Sequence, residues 1–253
     1  EGLRHSRTAL ATALSLVGFL VLWQLLTMTG IVNTKLFPSP VMVFQAGVEM
    51  AQSGVLFTDA VASLKRAMVG YVAGAVLGVL MGLITGRIRA AQLIFNPVLT
   101  VLRPIPAIAL VPVAIVWFGI GDESKYFVIA YAVFLAVWLN THTGAAAVPQ
   151  AYLRASASLG ASRLRTFTEV VVPAAAPFII TGLRLGATVA FLSLVAAELT
   201  GASDGIGYRL QEARQFLATD RMFVGLIQLG ILGALLDIAL AALGRRIVHW
   251  EAK

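Results

Sequence analysis

The sequence predicts an all-α membrane protein with six transmembrane helices. Three observations carry that expectation. Hydrophobic types make up 59 % of the 253 residues and charged types only 12 %, against roughly 45–50 % and 25 % in a soluble domain. The mean hydropathy is +0.88, so a water-soluble globule could not cover its own surface. The apolar residues also fall in runs of bilayer-spanning length, about 20 residues each. Such a chain has ample apolar surface to bury, which excludes disorder. Cysteine is absent, which removes disulfide frameworks, thiolate metal sites and cysteine nucleophiles together. His5, His142 and His249 show no metal-ligand spacing, so no metal site is expected. The net charge of +7 and pI of 10.2 would suit nucleic acid in a soluble protein. In a membrane protein the position of the charge matters more than its sum, and no nucleic-acid partner is expected.

The first span is read at 8–29, within an N-terminal segment 1–29. A cleavable signal peptide is its other reading, disfavoured by the length of the run and the lack of a small-x-small cleavage site. Residues 30–65 form an outer loop. There Phe37-Pro38-Ser39-Pro40 reads as an N-cap serine with proline at the first helical position. Val41, Phe44, Val48, Ala51 and Val55 recur at helical spacing, so a short amphipathic helix should pack that stripe on the bundle.

Spans two, three and four are expected at 66–86, 98–119 and 126–147, inside a segment 66–148. On span two, Gly70, Gly74, Gly78 and Gly82 repeat every fourth residue, a small-residue stripe along which another helix can pack closely. Span three is interrupted by Pro104, Pro106 and Pro112, with Arg103 placed at its inner end. Prolines free backbone carbonyls, which is tolerated at membrane depth where a helix lines a cavity. A pore-lining inner gate and a structural kink both fit. Spans five and six are read at 175–199 and 222–244, within 174–253. The outer loop 200–221 between them holds Gly201, Gly205 and Gly207 and a polar run. It fits a solvated surface helix, a docking surface for an external partner, or a lid. Trp23, Trp117, Trp138 and Trp250 need only interface anchoring or packing.

With the N-terminus inside and the spans alternating, the inner side holds eleven cations and three acids, the outer side seven of each. Cation count sets orientation, so both termini are expected in the cytoplasm.

Residues 149–173 lie inside, too polar to cross and too regular for a plain loop. Pro149 can start a helix on which Tyr152, Ala155 and Leu159 share a face. Gly160 suits a left-handed stop, and Ser162 can cap a second helix carrying Leu164, Phe167 and Val171, which Pro173 then ends. The result is two short helices with exposed apolar knobs, suited to a groove on another protein.

This stretch resembles the cytoplasmic "EAA" motif of permease subunits of binding-protein-dependent ABC importers. In that family a Gly follows Glu-Ala-Ala, and a Pro follows the Gly by thirteen residues. Gly160 and Pro173 hold that spacing, Leu159-Gly160-Ala161-Ser162 matches a common variant, and Arg154-Ala155-Ser156 stands where Glu-Ala-Ala is usual. Further stretches are similar to the nitrate, taurine and aliphatic-sulfonate branch: Arg103-Pro104-Ile105-Pro106, Leu110-Val111-Pro112, Trp117-Phe118-Gly119-Ile120-Gly121, Thr181-Gly182-Leu183-Arg184, Val195-Ala196-Ala197-Glu198 and Gly205-Ile206-Gly207-Tyr208. Phe216-Leu217-Ala218-Thr219-Asp220 resembles the taurine permeases. The resemblance implies the type I importer permease (MetI-like) fold, and 149–173 as a coupling-helix pair. It implies a homodimer, two cytoplasmic ATPase subunits holding ATP and Mg, and a periplasmic or lipid-anchored solute-binding protein. The chain carries no GxxxxGK[ST] phosphate loop, in keeping with hydrolysis on a partner.

Arg184, Glu198 and Asp237 fall inside expected spans. Ionisable groups there usually face a partner or a cavity. Arg184 and Asp237 lie at similar depth, roughly 15 and 10 Å from the inner ends of their spans at 1.5 Å per residue, which suggests a buried ion pair. Glu198 is expected near the outer mouth, in reach of Lys65 or Arg66. All three fit ties between helices, and Arg184 also fits a cation facing an oxyanion in transit. A stand-alone secondary transporter or channel is the rival reading. No HExxH, GxSxG or clustered His/Asp supports an enzyme.

Overall fold

In the computed structural model, residues 2–30 and 32–248 are described. Trp250, His249 and Lys253 lie outside them, as do the side chains of Arg4, His5 and Arg7. Every regular element among the described residues is helical.

Helix α1 (Gly2–Met28) is 27 residues long, about 40 Å at 1.5 Å per residue. It lies at the edge of the bundle, pinned where Trp23 Nε1 donates to Pro38 O at 3.0 Å. Trp23, Phe37 and Phe223 form an aromatic cluster with ring centroids 5.5–5.7 Å apart. Helix α2 (Pro40–Gln52) starts as the sequence suggests: Ser39 Oγ accepts from Met42 N at 3.2 Å, and Pro40 opens the first turn. Its buried face differs from the expected one. Val43, Ala46 and Met50 pack with Val224, whereas Val41, Phe44 and Val48 stay exposed. Lipid tails are as apolar as leucine, so an apolar stripe on this helix does not have to face protein.

Helix α3 (Val55–Arg87) begins eleven residues before the expected start of span two, straight after Gly54. It packs along α6 (Asp122–Ala146) through Gly70, Gly74, Gly78, Gly82 and Gly86. A Cβ on Gly70 would stand 2.6 Å from Ile129 Cβ, and one on Gly78 2.8 Å from Val137 Cβ. The stripe is therefore a contact surface for α6. Helix α9 (Val172–Gly201) completes the core of Tyr71, Ile129, Val133, Val137, Phe191 and Leu194. Tyr71 Oη donates to Leu183 O at 3.1 Å across α3 and α9. Span six is α11 (Thr219–Ile247).

Span three starts earlier than expected and is broken. Helix α4 (Arg89–Leu102) stops at the Pro104 and Pro106 turn. The chain resumes in a 3-10 turn (Ala107–Leu110) that leads into α5 (Val111–Phe118), bent by 91° from α4. Proline lacks the N–H that would continue the ladder. Because the span begins at Arg89, Arg103 sits at the break and not at the inner end.

Helix α7 (Gln150–Ser158) and α8 (Arg163–Thr166) follow α6 at the end of the bundle opposite α10 (Ile206–Gln215). Pro173 does not end the second helix. From α8 the chain passes through a π turn (Phe167–Val171), in which Val172 N donates to Phe167 O five residues back, and runs on into α9. The widened turn accommodates the ring and the missing donor of Pro173.

Candidate functional site

Three places carry chemistry, and the chain builds each from local rules. The first is the α7–α8 pair. Gly160 has φ +74. Gly160 N donates to Ala157 O at 3.0 Å and Ala161 N to Ser156 O at 3.1 Å, the paired bonds of a left-handed helix stop. No atom lies within 4 Å of an added Cβ there, so backbone conformation, not space, demands the glycine. Ser162 Oγ then caps α8 by accepting from Arg165 N at 3.2 Å. Ser156 Oγ and Thr166 Oγ1 meet at 2.8 Å and lock the two helices together. Leu159 is 87 % exposed and Leu164 73 %. Tyr152, Arg154 and Ala155 are exposed beside them. Phe167 and Val171 depart from the expected row of knobs. Both pack inward against Leu83, Val148 and Ala175 and anchor the pair to the bundle.

The second place is a cleft of about 360 Å³ at mid-bundle, between the α4–α5 break, α6 and α9. Arg103, Pro106, Tyr131, Asn140, Leu185, Leu192 and Ser193 are among its lining. Pro104 lies in the turn between Arg103 and Pro106, and Pro112 sits in the first turn of α5 beyond the cleft. Tyr131 Oη donates to Leu102 O at 2.8 Å and fixes the break against α6. Tyr131 lies nine residues into the 25-residue α6, roughly 14 Å from its start, so Arg103 is held near mid-depth.

Arg184 and Asp237 stand apart from that cleft's lining. Arg184 Nε and Nη2 donate to the two carboxylate oxygens of Asp237 at 2.8 and 2.9 Å. The pair is not buried, as expected from sequence, but lies on the face of the protomer, with the side chains 46 % and 40 % exposed. The Nε–Nη2 edge of the guanidinium thus grips the carboxylate by two parallel bonds.

The third place is a charged cluster at the α10 end. Arg66 reaches Asp122 Oδ1 from Nε at 2.6 Å, and Glu198 Oε1 and Asp204 O from Nη1 at 2.8 and 2.9 Å. Its Nη2 donates to Asp204 Oδ1. Glu198 is 1 % exposed and also accepts from Ser63 Oγ at 2.9 Å and from Gly207 N at 2.8 Å. Gly205 N donates to Asp59 Oδ1 at 3.0 Å and Ile206 N to Ser63 Oγ at 2.8 Å. The first N–H groups of a helix have no partner within it; here α3 and α9 supply the partners for α10. Gly205 has φ +103, and a Cβ on Gly205 or Gly207 would meet Glu198 at 2.5 or 2.6 Å. The Glu198 and Gly-Ile-Gly stretches that stand apart in the sequence are thus one device. Asp59, and behind it Glu212, hold the Arg209 guanidinium above its ordinary value.

Residues 74–249 match the family described as "Binding-protein-dependent transport system inner membrane component". The taurine transport system permease protein TauC of Escherichia coli (strain K12) is 34 % identical over 244 residues, covering 94 % of this chain and 89 % of that one. A putative aliphatic sulfonates transport permease protein, SsuC of Bacillus subtilis (strain 168), is 35 % identical over 232 residues, covering 92 % and 84 %. This chain belongs to that transport family. A solved structure, the inward-facing MetNI methionine ABC transporter, shares the fold with TM-score 0.65 at 19 % identity, over 76 % of this chain and 96 % of the other.

Membership in a family of inner-membrane transport components sets the stand-alone transporter or channel aside. Among the described residues no cluster of His, Asp or Glu could hold a metal ion.

Sequence reasoning brought Glu198 near Arg66 but passed over Asp59, Ser63, Asp122 and Asp204. Their signal is weak, since polar side chains near a helix end usually face water. It also passed over His142, which closes a second polar tie. Trp138 Nε1 donates to Thr85 Oγ1 at 3.1 Å, and Thr85 Oγ1 stands 3.0 Å from His142 Nδ1. Asn96 Nδ2 lies 3.3 Å from His142 Nε2.

Proposed function

We propose that two copies of this chain form the path of an ATP-driven importer for a small oxyanion in the bacterial inner membrane, with both termini cytoplasmic. Two cytoplasmic ATPase subunits dock on the α7–α8 pairs, hold ATP and Mg, and carry out hydrolysis. The chain itself has no catalytic role. A periplasmic or lipid-anchored solute-binding protein delivers cargo at the α10 end. Taurine or an alkanesulfonate leads as cargo, supported by the sequence likeness to permeases named for those compounds. Nitrate or a related anion follows, on the motifs shared with that branch.

One observation carries this reading. The exposed knob Leu164 stands at the foot of a single helical run, Arg163–Gly201, 39 residues long, and α7, which carries Leu159, is tied to that run by Ser156 and Thr166. A displacement of Leu164 would therefore reach α9 along continuous helix. Partner docking by apolar knobs in a groove is a recurrent mode of helix recognition.

The test is co-purification of the whole complex. The double variant Leu159→Glu with Leu164→Glu touches only exposed side chains, so the permease should stay folded. Loss of the ATPase subunit from the purified complex is expected. Undiminished ATPase recovery would contradict the docking role.

A further inference from the structure

The charged side chains at membrane depth fall into two groups. Most are neutralised within the protomer: Arg66 by Asp122, Glu198 and Asp204, Arg184 by Asp237, and Lys125 beside Asp122 with Nζ donating to Gly121 O at 2.8 Å. Arg103, at the break in span three, has no such partner among the described residues. It is exposed, lines the mid-bundle cleft, and its guanidinium has no ion pair and no hydrogen bond. Charged groups at this depth require a counter-charge or a wet cavity. No carboxylate lines the cleft to serve as the first.

The rest of the lining suits a small, polar, negatively charged guest. Ser193 brings a hydroxyl and Asn140 an amide, one of whose two N–H groups is used on Ala136 O at 2.9 Å, whereas the Tyr131 proton is committed to Leu102 O. The remainder is apolar, so few other polar groups compete with the Arg103 guanidinium for a guest. Planar guanidinium matches the paired oxygens of sulfonate, sulfate or nitrate. The proline break holds Arg103 in place, because Tyr131 fastens Leu102 immediately before it.

We infer that Arg103, with Asn140 and Ser193, forms a transit site for an oxyanion at mid-membrane, and that Tyr131 positions it by holding Leu102. This rests on the import reading above and gives the path its sign preference. Arg184, the other candidate cation, is spoken for by Asp237.

The chain has no cysteine, which allows a test that does not depend on the natural cargo. Ala136 lines the cleft. In the assembled transporter, Ala136→Cys is reacted with two methanethiosulfonates of similar size, one bearing an ethyl sulfonate and one an ethyl trimethylammonium group. The sulfonate reagent should react faster relative to the cation. Adding Arg103→Gln should lower the anion-to-cation rate ratio about tenfold, and Arg103→Lys should keep most of it. An unchanged ratio in Arg103→Gln, or no reaction with either reagent, would overturn the proposal. ATP-driven uptake of ethanesulfonate and taurine, measured alongside, separates the two readings. If the ratio responds while the wild-type transporter moves neither compound, the cargo assignment fails and the transit site stands. Receptor-stimulated ATP hydrolysis retained in Arg103→Gln establishes that the variant still assembles.

Discussion

Glu198 shows at the residue scale how burial turns a modest contact into a large one. Its carboxylate is almost wholly enclosed and accepts from Arg66, Ser63 and Gly207 N. Breaking a buried pair by removing one charge typically costs about 3–5 kcal/mol. Glu198→Gln is therefore expected to lower the unfolding temperature sharply, and Ser63→Ala, which orphans the Ile206 N–H, by about 1–3 kcal/mol equivalent. Arg165→Ala removes an exposed pair with Glu169 at 3.0 Å, worth only about 0.3–0.5 kcal/mol. Thermal melts of the detergent-purified protein order these three, and a melt in which Arg165→Ala is the most damaging contradicts the ranking. The sequence made Glu198 and Arg66 legible because a charge inside an apolar run is conspicuous. Asp59 and Ser63 were not legible, because their partners lie more than 140 residues away in α10.

Elements were legible to different degrees for one physical reason. Length and apolarity identify a span, so α3, α6, α9 and α11 fall where the hydropathy runs are. Which face of a helix meets protein is a different question, and the periodicity that answers it in water is mute in lipid. Helix α2 buries Val43, Ala46 and Met50 although its apolar spacing also runs through Val41, Phe44 and Val48. Small residues are the better guide: the glycine stripe of α3 predicts a close partner and finds α6. The prolines of span three announced a break but not its 91° angle, nor the Tyr131 bond to Leu102 O that fastens the break across the bundle. Pro173 misled, since a π turn can carry a proline that an α-helix cannot. The element-scale prediction contrasts two glycines. Gly78→Val forces a side chain to within 2.8 Å of Val137 Cβ and should destabilise the protein by about 1–3 kcal/mol or more. Gly47→Ala has 3.7 Å to Val224 Cγ2 and should be neutral or stabilising by up to about 1 kcal/mol. Equal melting temperatures for the two variants would refute the α3–α6 contact.

For the whole molecule, the two ends have opposite characters. At one end α10 is clamped to α3 and α9 by charges and backbone caps. At the other, α7 and α8 stand out with Leu159 and Leu164 bare, stiffly joined to α9. Between them the bent span three leaves a cleft with a free cation. On the proposed reading, a push at the α7–α8 end enters α9, which runs past the cleft to the clamp. The lack of native cysteine allows the central claim to be measured at a single position. Leu159→Cys is treated with a membrane-impermeant maleimide in sealed vesicles of both orientations, with and without the ATPase subunits. The account predicts labelling only from the cytoplasmic face and protection once the ATPase is bound. Labelling from the opposite face, or labelling that the bound ATPase leaves unchanged, contradicts it.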